Sequence, residues 1–441
     1  MKNIKKIVLY IGFFSLGLSA SGQTYTSLLI KIPTRSRPHQ FFRNLDKFYQ
    51  KLSYKLDYKF LISCDKDDSS MNNPSVIKRL ENYPNLEFSF SDNLSKVEAF
   101  NKDIDKYKFD ILLAAHDDME PIAKNFDLII ADNMLKNFPD FDGVLNFNDG
   151  FVGAQCNTLP VVGKNFYKRF GYIYNPEYKA LVCNVELTNV SKILKKEKVI
   201  DTVIIKHNHP AWNAGLKDAL YDKNEKYHEQ DIETFLKRRA NFFDLSKEEI
   251  SIATPRFWSI LICTIEGREQ SFEALCAKLK NQIKNLDLDD KIEILSCKDK
   301  KGEHTVGDKR NQLLESSDSK YVSFIDDDDD VSDDFIKLIY EKLLNNPDCA
   351  SLEGIITFNG SNPKKFIHSI KYNNYFEKEN IYFRPPNHLN PMRRAIAIQF
   401  WFPEKNMGED TEWAMAICKS GLLKTEEEIN TPYYFYLYND K

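Results

Sequence analysis

The sequence predicts an α/β protein in which one domain, a mostly parallel sheet flanked by helices, occurs twice. The length of 441 residues suits two domains of ordinary size. Strand-like and helix-like patterns alternate along the chain, which is typical of a parallel sheet. The same order of strand-like and helix-like segments also follows an apolar strand twice, once from Ser27 and once from Ser259. We therefore expect domains at 24–250 and 251–441, with the polar segment 244–255 as the linker.

The first strands of each copy end in polar residues. An apolar strand ending in Thr and Arg comes first, and a helix with one apolar stripe follows it. The second strand then ends in Asp. These residues are Thr34, Arg37 and Asp65 in the first copy, and Thr264, Arg268 and Asp299 in the second. Because ligands bind beyond the carboxyl ends of strands in an open parallel sheet, each set should line one crevice.

The third strand of each copy ends in acidic residues. Five consecutive aspartates, Asp326 to Asp330, follow it in the second copy, and Asp117 and Asp118 follow it in the first. Neighbouring carboxylates repel one another unless a cation relieves them. Oxygen ligands suit Mg²⁺ or Mn²⁺. The run therefore predicts a divalent cation site, and a solvated acidic turn at a helix N-terminus is the alternative.

The second copy resembles the family 2 glycosyltransferases, nucleotide-sugar enzymes with the Rossmann-like GT-A fold. The matching motifs, in the family's order, are Thr264 to Arg268, Asp299, Gly307-Asp-Lys309-Arg310-Asn311, Asp326-Asp-Asp328-Asp329 with Asp334-Phe335, and Gly408-Glu409-Asp410. A single Asp-x-Asp motif is common by chance, whereas the ordered set is specific. The resemblance implies two tandem GT-A domains, of which the second matches better.

The resemblance also implies a role for each residue in the second copy. Asp328 would bind the cation, and Asp326 would contact the cation or the donor ribose. Asp410, or Glu409 beside it, would deprotonate the acceptor hydroxyl; a charged helix N-terminus is the alternative for this pair. The residues expected to bind the donor are Thr264, Arg268, Asp299, Asp326, Lys309 and Arg310, with Asp299 facing the base and the last two neutralising the diphosphate.

The first copy resembles the same fold but departs from the family's motifs. Aligning Ala115 on Asp326 leaves Asp117 as the counterpart of Asp328. Glu186 is retained near the expected acidic acceptor-side motif. His209 resembles a late histidine of the metal shell, and ordinary structure is the alternative, since a His-x-His on a strand is common. By the resemblance, Asp117 and His209 would bind metal, Glu186 would be catalytic, and Thr34, Arg37 and Asp65 would bind the donor.

The implied activity is transfer of a hexosyl or N-acetylhexosaminyl group, with inversion, from a nucleoside-diphosphate sugar to a hydroxyl group. A UDP-sugar is the preferred donor, Mn²⁺ or Mg²⁺ the cofactor, and a glycan, protein or lipid the acceptor. In the alternative, the first copy or the whole protein binds carbohydrate or nucleotide-sugar without turnover. A nucleotidyltransferase is a third possibility that the Glu-Asp motif does not support. The balance of 61 Lys+Arg against 65 Asp+Glu argues against a nucleic-acid partner.

The amino-terminal residues 1–23 have the layout of a secretory signal or membrane anchor. Three lysines precede the apolar stretch 7–20, which is shorter than the ~20 residues that span a bilayer. The eight cysteines form no CxxC pair and several lie in apolar runs, which is typical of buried thiols in a reducing compartment. A cytoplasmic or membrane-associated location, through the amino terminus, is favoured, and a secretory or lumenal one is the alternative.

Overall fold

The computed structural model describes residues 26–92, 95–151, 156–210 and 217–438. Within them, a seven-stranded sheet lies in the first half of the chain and a six-stranded sheet in the second half. Helices flank both sheets, so the predicted α/β class is confirmed. The predicted leader, residues 1–23, lies outside the described residues.

The first half comprises the described residues up to Ala253. Its strands are β1 (Ser27–Pro33), β2 (Asp57–Asp65), β3 (Leu86–Ser91), β4 (Ile111–Ala114), β5 (Met119–Pro121), β6 (Val144–Phe147), β7 (Pro160–Gly163), β8 (Glu197–Ile200) and β9 (Ile205–His207). Its helices are α1 (Pro38–Lys51), α2 (Pro74–Glu81), α3 (Lys96–Asn101), α4 (Phe126–Asn137), α5 (Lys164–Phe170), α6 (Cys183–Ile193), α7 (Ala219–Glu225), α8 (His228–Ala240) and α9 (Lys247–Ala253).

The second half comprises the described residues from Arg256 onward. Its strands are β10 (Arg256–Ile265), β11 (Ile292–Asp299), β12 (Ser319–Phe324), β13 (Asp330–Val331), β14 (Cys349–Ala350), β15 (Leu352–Phe358), β16 (Ser361–His368), β17 (Phe376–Lys378), β18 (Ile381–Arg384), β19 (Met392–Arg393), β20 (Glu426–Glu427) and β21 (Tyr434–Tyr438). Its helices are α10 (Glu269–Asn285), α11 (Val306–Ser316), α12 (Phe335–Leu343), α13 (Arg394–Ala397) and α14 (Glu409–Ser420).

The two main sheets have the same strand order over six strands. The order is β2-β1-β4-β7-β6-β8 in the first half and β11-β10-β12-β19-β14-β20 in the second, with β3 as an additional edge strand in the first. In both, the first three strands are parallel, the fourth is antiparallel to its neighbours, and the last two are parallel to each other. The small antiparallel pairs β5–β9 and β13–β21 also correspond.

The helices that follow the first strand of each sheet bury one apolar stripe. In α1, Phe41, Leu45 and Phe48 recur at three- and four-residue spacing and are buried; in α10, Leu275 and Leu279 do the same. Each stripe packs on a sheet whose central strands are buried on both faces, as the apolar runs predicted.

The segment predicted as a linker contains a helix. Ser246 caps the N-terminus of α9, accepting a hydrogen bond from the Glu249 backbone N–H at 3.1 Å, while the Glu249 side chain accepts from Ser246 N–H at 2.9 Å. This capping box satisfies two backbone donors in a polar sequence, which explains why the linker is helical rather than extended.

The second half has an additional sheet. Strands β15 to β18 are inserted between β14 and β19 and join β21 and β13 in the order β13-β21-β15-β16-β18-β17. In the first half, only the pair β5–β9 stands at the corresponding place. The insertion builds one wall of the cavity described below.

Side chains from both halves form one buried cluster. Leu29 and Leu187 of the first half lie in the same cluster as Leu261 and Ile398 of the second. Helix α6 also makes polar contacts across the junction, because Lys192 Nζ lies 2.8 Å from Glu315 Oε1 of α11. The halves therefore share a core, although each has its own sheet.

In the part of the chain that the structure describes, no helix has both the length and the apolar character needed to cross a membrane. The eight cysteines all lie in that part and are free thiols.

Candidate functional site

A cavity of about 660 Å³ opens at the carboxyl ends of β10 and β12 in the second half. Its walls come from the acidic run, the start of α11, strand β18, the loop before β19 and the start of α14. The predicted site residues that line it are Thr264, Arg268, Lys309, Arg310, Asp326, Asp328, Glu409 and Asp410. The topology thus brings together residues that are up to 146 positions apart in sequence, Thr264 and Asp410.

Hydrogen bonds divide the acidic run into anchored and cavity-facing carboxylates. Asp327 accepts from Thr264 Oγ1 at 2.7 Å and from Arg268 Nη1 at 2.6 Å. Asp329 is buried and accepts from the Tyr434 hydroxyl at 2.8 Å. Asp326, Asp327 and Asp328 all line the cavity, but the side chains of Asp326 and Asp328 are 29% and 44% exposed, against 3% for Asp327.

The electrostatics of the run favour a cation. Burial raises the pKa of Asp328, and the charges of Asp326 and Asp327 raise it further against the effect of Arg268. Burial likewise raises the pKa of Asp329 well above its usual value, and Asp326 adds to the shift. A divalent cation beside Asp326 and Asp328 would relieve this repulsion, and the all-oxygen donor set fits Mg²⁺ or Mn²⁺.

The two basic residues of α11 are buried and paired. Lys309 Nζ donates to Asp299 Oδ1 at 2.7 Å and to the Thr264 carbonyl at 3.2 Å. Asp299 itself lies behind Lys309 and is not among the residues that line the cavity. The expected contact of Asp299 with a base therefore has no support in this arrangement, because its carboxylate is used to hold the lysine.

Arg310 connects the acidic run to the start of α14. Its Nη2 donates to Asp326 Oδ1 at 3.0 Å, and its Nη1 donates to Glu409 Oε1 at 2.5 Å. Arg310 is buried, so both contacts form in a medium that strengthens them. Burial works against ionisation of Asp326, but the charges of Arg310 and His388 outweigh it and lower the pKa of this carboxyl.

His388 lies between the acidic run and α14. Its Nε2 is 2.9 Å from Arg310 Nη2 and 3.6 Å from Asp326 Oδ2, and its Nδ1 is 3.7 Å from Asp410 Oδ2. The Nε2 edge of the ring thus faces the Arg310 guanidinium and the Asp326 carboxylate, and the Nδ1 edge faces Asp410.

Glu409 and Asp410 have different environments. Glu409 is buried and bound to Arg310, whereas the Asp410 side chain is 27% exposed at the cavity. Burial opposes ionisation of Asp410, but the charges of His388 and Arg310 prevail and lower its pKa. Of the two carboxylates, Asp410 is thus the one that can meet a ligand in its ionised form.

Sequence reasoning missed the cavity residues of the inserted sheet. Phe366, Tyr382 and Arg384 line the cavity from β16 and β18, and Tyr436 lines it from β21. The signal in the sequence was weak, since an aromatic residue in a strand is usually part of a core.

A smaller cavity of about 100 Å³ occupies the corresponding place in the first half. The predicted residues that line it are Thr34, Arg37, Asp65, Asp117 and His209. Asp65 pairs with Arg35, which also lines the cavity. Five of the six residues predicted for this half therefore converge.

Strand register corrects the alignment of the two acidic segments by one residue. Ala115 N–H donates to the carbonyl of Lys31, and Ile325 N–H donates to the carbonyl of Leu261 at the same point of the sheet. Ala115 therefore corresponds to Ile325, and not to Asp326 as expected. A run of identical aspartates contains no internal marker of register, so only the hydrogen bonds reveal the offset.

The correction gives Asp117 a different counterpart. Asp117 accepts from Thr34 Oγ1 at 2.9 Å and from Arg37 Nη1 at 3.1 Å, just as Asp327 accepts from Thr264 and Arg268. Burial raises the pKa of Asp117 to about 6, with Arg37 opposing and Asp118 adding. Asp117 is thus the anchored carboxylate, and Asp118 takes the place of Asp328.

Glu186 does not reach this cavity, which corrects its predicted catalytic role. It lines a separate, mainly apolar cavity. Its carboxylate is buried and accepts from Arg238 Nε at 2.8 Å, Arg238 Nη2 at 3.0 Å and the Tyr178 hydroxyl at 2.7 Å. A buried carboxylate with all these partners joins α6 to α8 and has no free oxygen for chemistry.

Three side chains with metal-binding atoms meet beside the first-half cavity. One ligand atom each of His116, Asp118 and His207 lies within 4.8 Å of the others. The predicted metal ligands, Asp117 and His209, are not in this group, although the His209 ring is 5.2 Å from that of His207. In the acidic segment the sequence predicted Asp117, one residue before Asp118. In the His-x-His segment it predicted His209, two residues after His207.

The model of the Glycosyl transferase family 2 matches residues 262–401. The matched segment lies within the second half and contains the acidic run and His388. The resemblance predicted from the motifs is therefore confirmed for this segment. No curated protein sequence matches the chain.

Solved structures give low-identity matches. TarS of S. aureus, residues 1–349, is 14% identical with a TM-score of 0.30, over 41% of this chain and 60% of that chain. The same fragment in complex with UDP-GlcNAc is 13% identical with a TM-score of 0.30, over 42% and 59%. The mannosyltransferase PcManGT from Pyrobaculum calidifontis, in complex with GDP-Man and Mn²⁺, is 14% identical with a TM-score of 0.35, over 49% and 62%. The match thus spans about three fifths of the length of each of these solved chains.

Proposed function

We propose that the second half is a metal-dependent glycosyltransferase that moves a hexosyl or N-acetylhexosaminyl group from a nucleoside-diphosphate sugar to an acceptor hydroxyl. The observation that carries the proposal is the arrangement within and beside the family-matched segment: Asp326 and Asp328 face the same cavity as Asp410, with Arg310 and His388 between them. A UDP-sugar is the first donor to test, and a glycan, protein or lipid is the expected acceptor.

Asp326 and Asp328 would hold the Mn²⁺ or Mg²⁺ ion. When bound, the cation supplies positive charge against the departing diphosphate. Arg268, 3.1 Å from Asp328 Oδ2, adds a guanidinium on the same side. These groups stabilise negative charge where it develops, which is the main electrostatic demand of the reaction.

Asp410 would take the proton of the acceptor hydroxyl. Its lowered pKa keeps it ionised at neutral pH, and its exposure leaves it accessible to the acceptor. Glu409 is held by Arg310 and would instead position that guanidinium. The His388 ring separates Asp410 from Asp326, and attack by a hydroxyl bound at Asp410 on the side opposite the leaving group would give inversion.

The test compares Asp328→Asn with Asp333→Asn, a matched change at a carboxylate whose side chain is 98% exposed. Transfer and hydrolysis of UDP-, GDP- and CMP-sugars are measured with Mn²⁺. We expect activity to fall at least roughly a hundredfold for Asp328→Asn, since it removes a metal ligand from the transition state, and to persist for Asp333→Asn. Equal activity of Asp328→Asn and the unsubstituted protein would refute the proposal.

For the first half, the favoured candidate is a module that binds nucleotide-sugar or carbohydrate without turnover. Helix α6 begins after Val182 as α14 begins after Gly408, both with left-handed backbone, so Asn184 stands where the second half has Asp410. An amide cannot act as the base. The common strand order supports tandem GT-A domains at 24–250 and 251–441, and Asp118→Asn in the same assays tests whether the first contributes to activity.

We propose a cytoplasmic or membrane-associated location, with association through residues 1–23. The support is the charged and apolar pattern of that segment, together with the free cysteines. Sequencing the mature amino terminus after cell fractionation tests it, and cleavage near residue 23 with recovery in a secreted fraction would overturn it.

A further inference from the structure

Two imidazoles and one carboxylate converge in the first half. His116 and Asp118 follow β4, and His207 ends β9, which pairs with β5 so that His207 lies opposite Met119. The His207 Nε2 atom is 3.2 Å from Asp118 Oδ1, and the rings of His116 and His207 are 5.1 Å apart. The three side chains come from two separate segments of the chain and point to one place.

Two of these side chains, Asp118 and His207, are buried, and their facing atoms lie within ion-pairing distance without the geometry of a hydrogen bond. Asp118 and His207 are each 5% exposed. Among the described residues, neither ring nitrogen of His207 makes a hydrogen bond with suitable geometry, and neither does Asp118 Oδ1. A buried polar atom without a partner is costly, so native proteins usually supply one. A metal ion would take one ring nitrogen of His207 and one oxygen of Asp118 as ligands.

The corresponding positions in the second half carry oxygen ligands instead. The register assigns His116 to Asp326 and Asp118 to Asp328. Strand pairing places Lys206 opposite Glu120 and Phe435 opposite Asp330, so that His207 corresponds to Tyr436. Two imidazoles in the first half thus stand where the second half has a carboxylate and a phenol.

We propose that His116, Asp118 and His207 bind a borderline divalent metal ion of the Zn²⁺ type, distinct in chemistry from the ion of the second half. Imidazole nitrogen prefers Zn²⁺ and the later transition metals, whereas carboxylate oxygen alone suits Mg²⁺ and Mn²⁺. Three protein ligands leave at least one position open. The adjacent cavity contains Arg37, Lys96 and Lys223, so the open position is suited to an anionic ligand. The proposal does not depend on transferase activity in the second half.

The experiment uses the full chain carrying Asp328→Asn, which removes a ligand of the other candidate metal site. Binding of Zn²⁺, Mn²⁺ and Mg²⁺ is measured by titration calorimetry and by elemental analysis after dialysis. We expect one Zn²⁺ per chain, bound at least about tenfold more tightly than Mg²⁺. Failure to bind Zn²⁺ would overturn the proposal.

Ligand variants identify the site. In the same background, His207→Ala and Asp118→Asn should each weaken Zn²⁺ binding at least about tenfold, since each removes a direct ligand. His304→Ala is the matched control, because His304 is an exposed histidine of the second half. Unchanged Zn²⁺ binding in both ligand variants would place the ion elsewhere and overturn the assignment.

A spectroscopic measurement covers the case in which a buried substitution prevents folding. Pulsed electron paramagnetic resonance of Cu²⁺ bound to the chain with only Asp328→Asn should show nitrogen couplings from two imidazoles. A spectrum without imidazole nitrogen would contradict the proposal without any change to the first half.

Discussion

The neighbouring aspartates of the acidic run have different roles because their hydrogen-bond partners differ. Asp327 is held by Thr264 and Arg268 and Asp329 by Tyr434, whereas Asp326 and Asp328 have the more exposed side chains at the cavity. The sequence predicts a cation site at this strand end, since neighbouring carboxylates repel one another, and that site stays a prediction. It could not predict which aspartates are anchored, because their partners come from strands up to 105 residues away.

The different roles proposed for Asp410 and Glu409 can be tested by separate substitutions. Asp410→Asn should lower kcat by about 10²- to 10⁴-fold, the usual contribution of a general base, with little change in melting temperature. Transfer kinetics and thermal unfolding of the same preparation measure both effects. An Asp410→Asn variant as active as the unsubstituted protein would remove Asp410 from the mechanism.

Glu409→Gln is the companion variant. It leaves the Arg310 guanidinium with less compensating charge in a buried position, so we expect the free energy of unfolding to fall by roughly 3 kcal/mol. Denaturant titration measures the loss. A fully stable Glu409→Gln variant would contradict a structural role for this ion pair.

Among the elements, α11 holds the basic residues against the cavity, and its first residues lie close to the segment that leads into α14. Gly307 N–H donates to the Lys405 carbonyl at 3.2 Å, and a Cβ atom at Gly307 would lie 1.9 Å from the Pro403 carbonyl oxygen. Only glycine lets this helix approach the segment that leads into α14. The sequence predicted the helix and its Lys-Arg pair, but a glycine early in a helix does not reveal which backbone it touches.

Gly307→Ala should move the start of α11 away from Pro403. We expect a loss of about 1–3 kcal/mol in unfolding free energy, as for other overpacked sites, and reduced transfer because Lys309 and Arg310 move with the helix. Gly360→Ala is the control, since Gly360 does not line the cavity, its Cβ would meet no atom within 4 Å, and the strain would come from its left-handed backbone at φ +72°. Equal activity of the two variants would show that the contact does not position α11.

At the scale of the whole molecule, the sequence predicted two units but not how they meet. The repeat was visible because strands and helices recur in order. The junction could not be predicted, because its polar residues follow no periodic pattern. They come into contact only when α6 packs on α11 and α13; the residues are Lys192, Glu197, Glu315 and Arg394.

Glu197 makes this junction sensitive to pH. Burial raises the pKa of Glu197 to about 8, with Lys192 opposing and Glu315 adding, against a usual value of 4.5. Between these values the folded protein holds one proton more than the unfolded chain, so stability contributed by this group falls as the pH rises. Glu197→Gln should therefore become progressively more stable than the unsubstituted protein from pH 4.5 to 8, by up to a few kcal/mol at ~1.36 kcal/mol per pKa unit.

Denaturant titrations of both proteins across this pH range measure the difference. Parallel stability curves would show that Glu197 titrates normally. The Glu315→Gln variant provides a comparison for the pH dependence. It removes the negative charge that adds to the raised pKa of Glu197 and leaves Lys192 in place.

The core shared by the halves has a consequence for ligand binding. A ligand that binds only the folded state adds its binding free energy to the stability of whatever unfolds together with its site. Because Leu29 and Leu187 pack in one cluster with Leu261 and Ile398, neither half can unfold without exposing apolar surface of the other. Saturating either cavity with ligand should therefore raise the melting temperature of the entire chain, in a single cooperative transition. A ligand bound in one half would thus also stabilise the other half against unfolding.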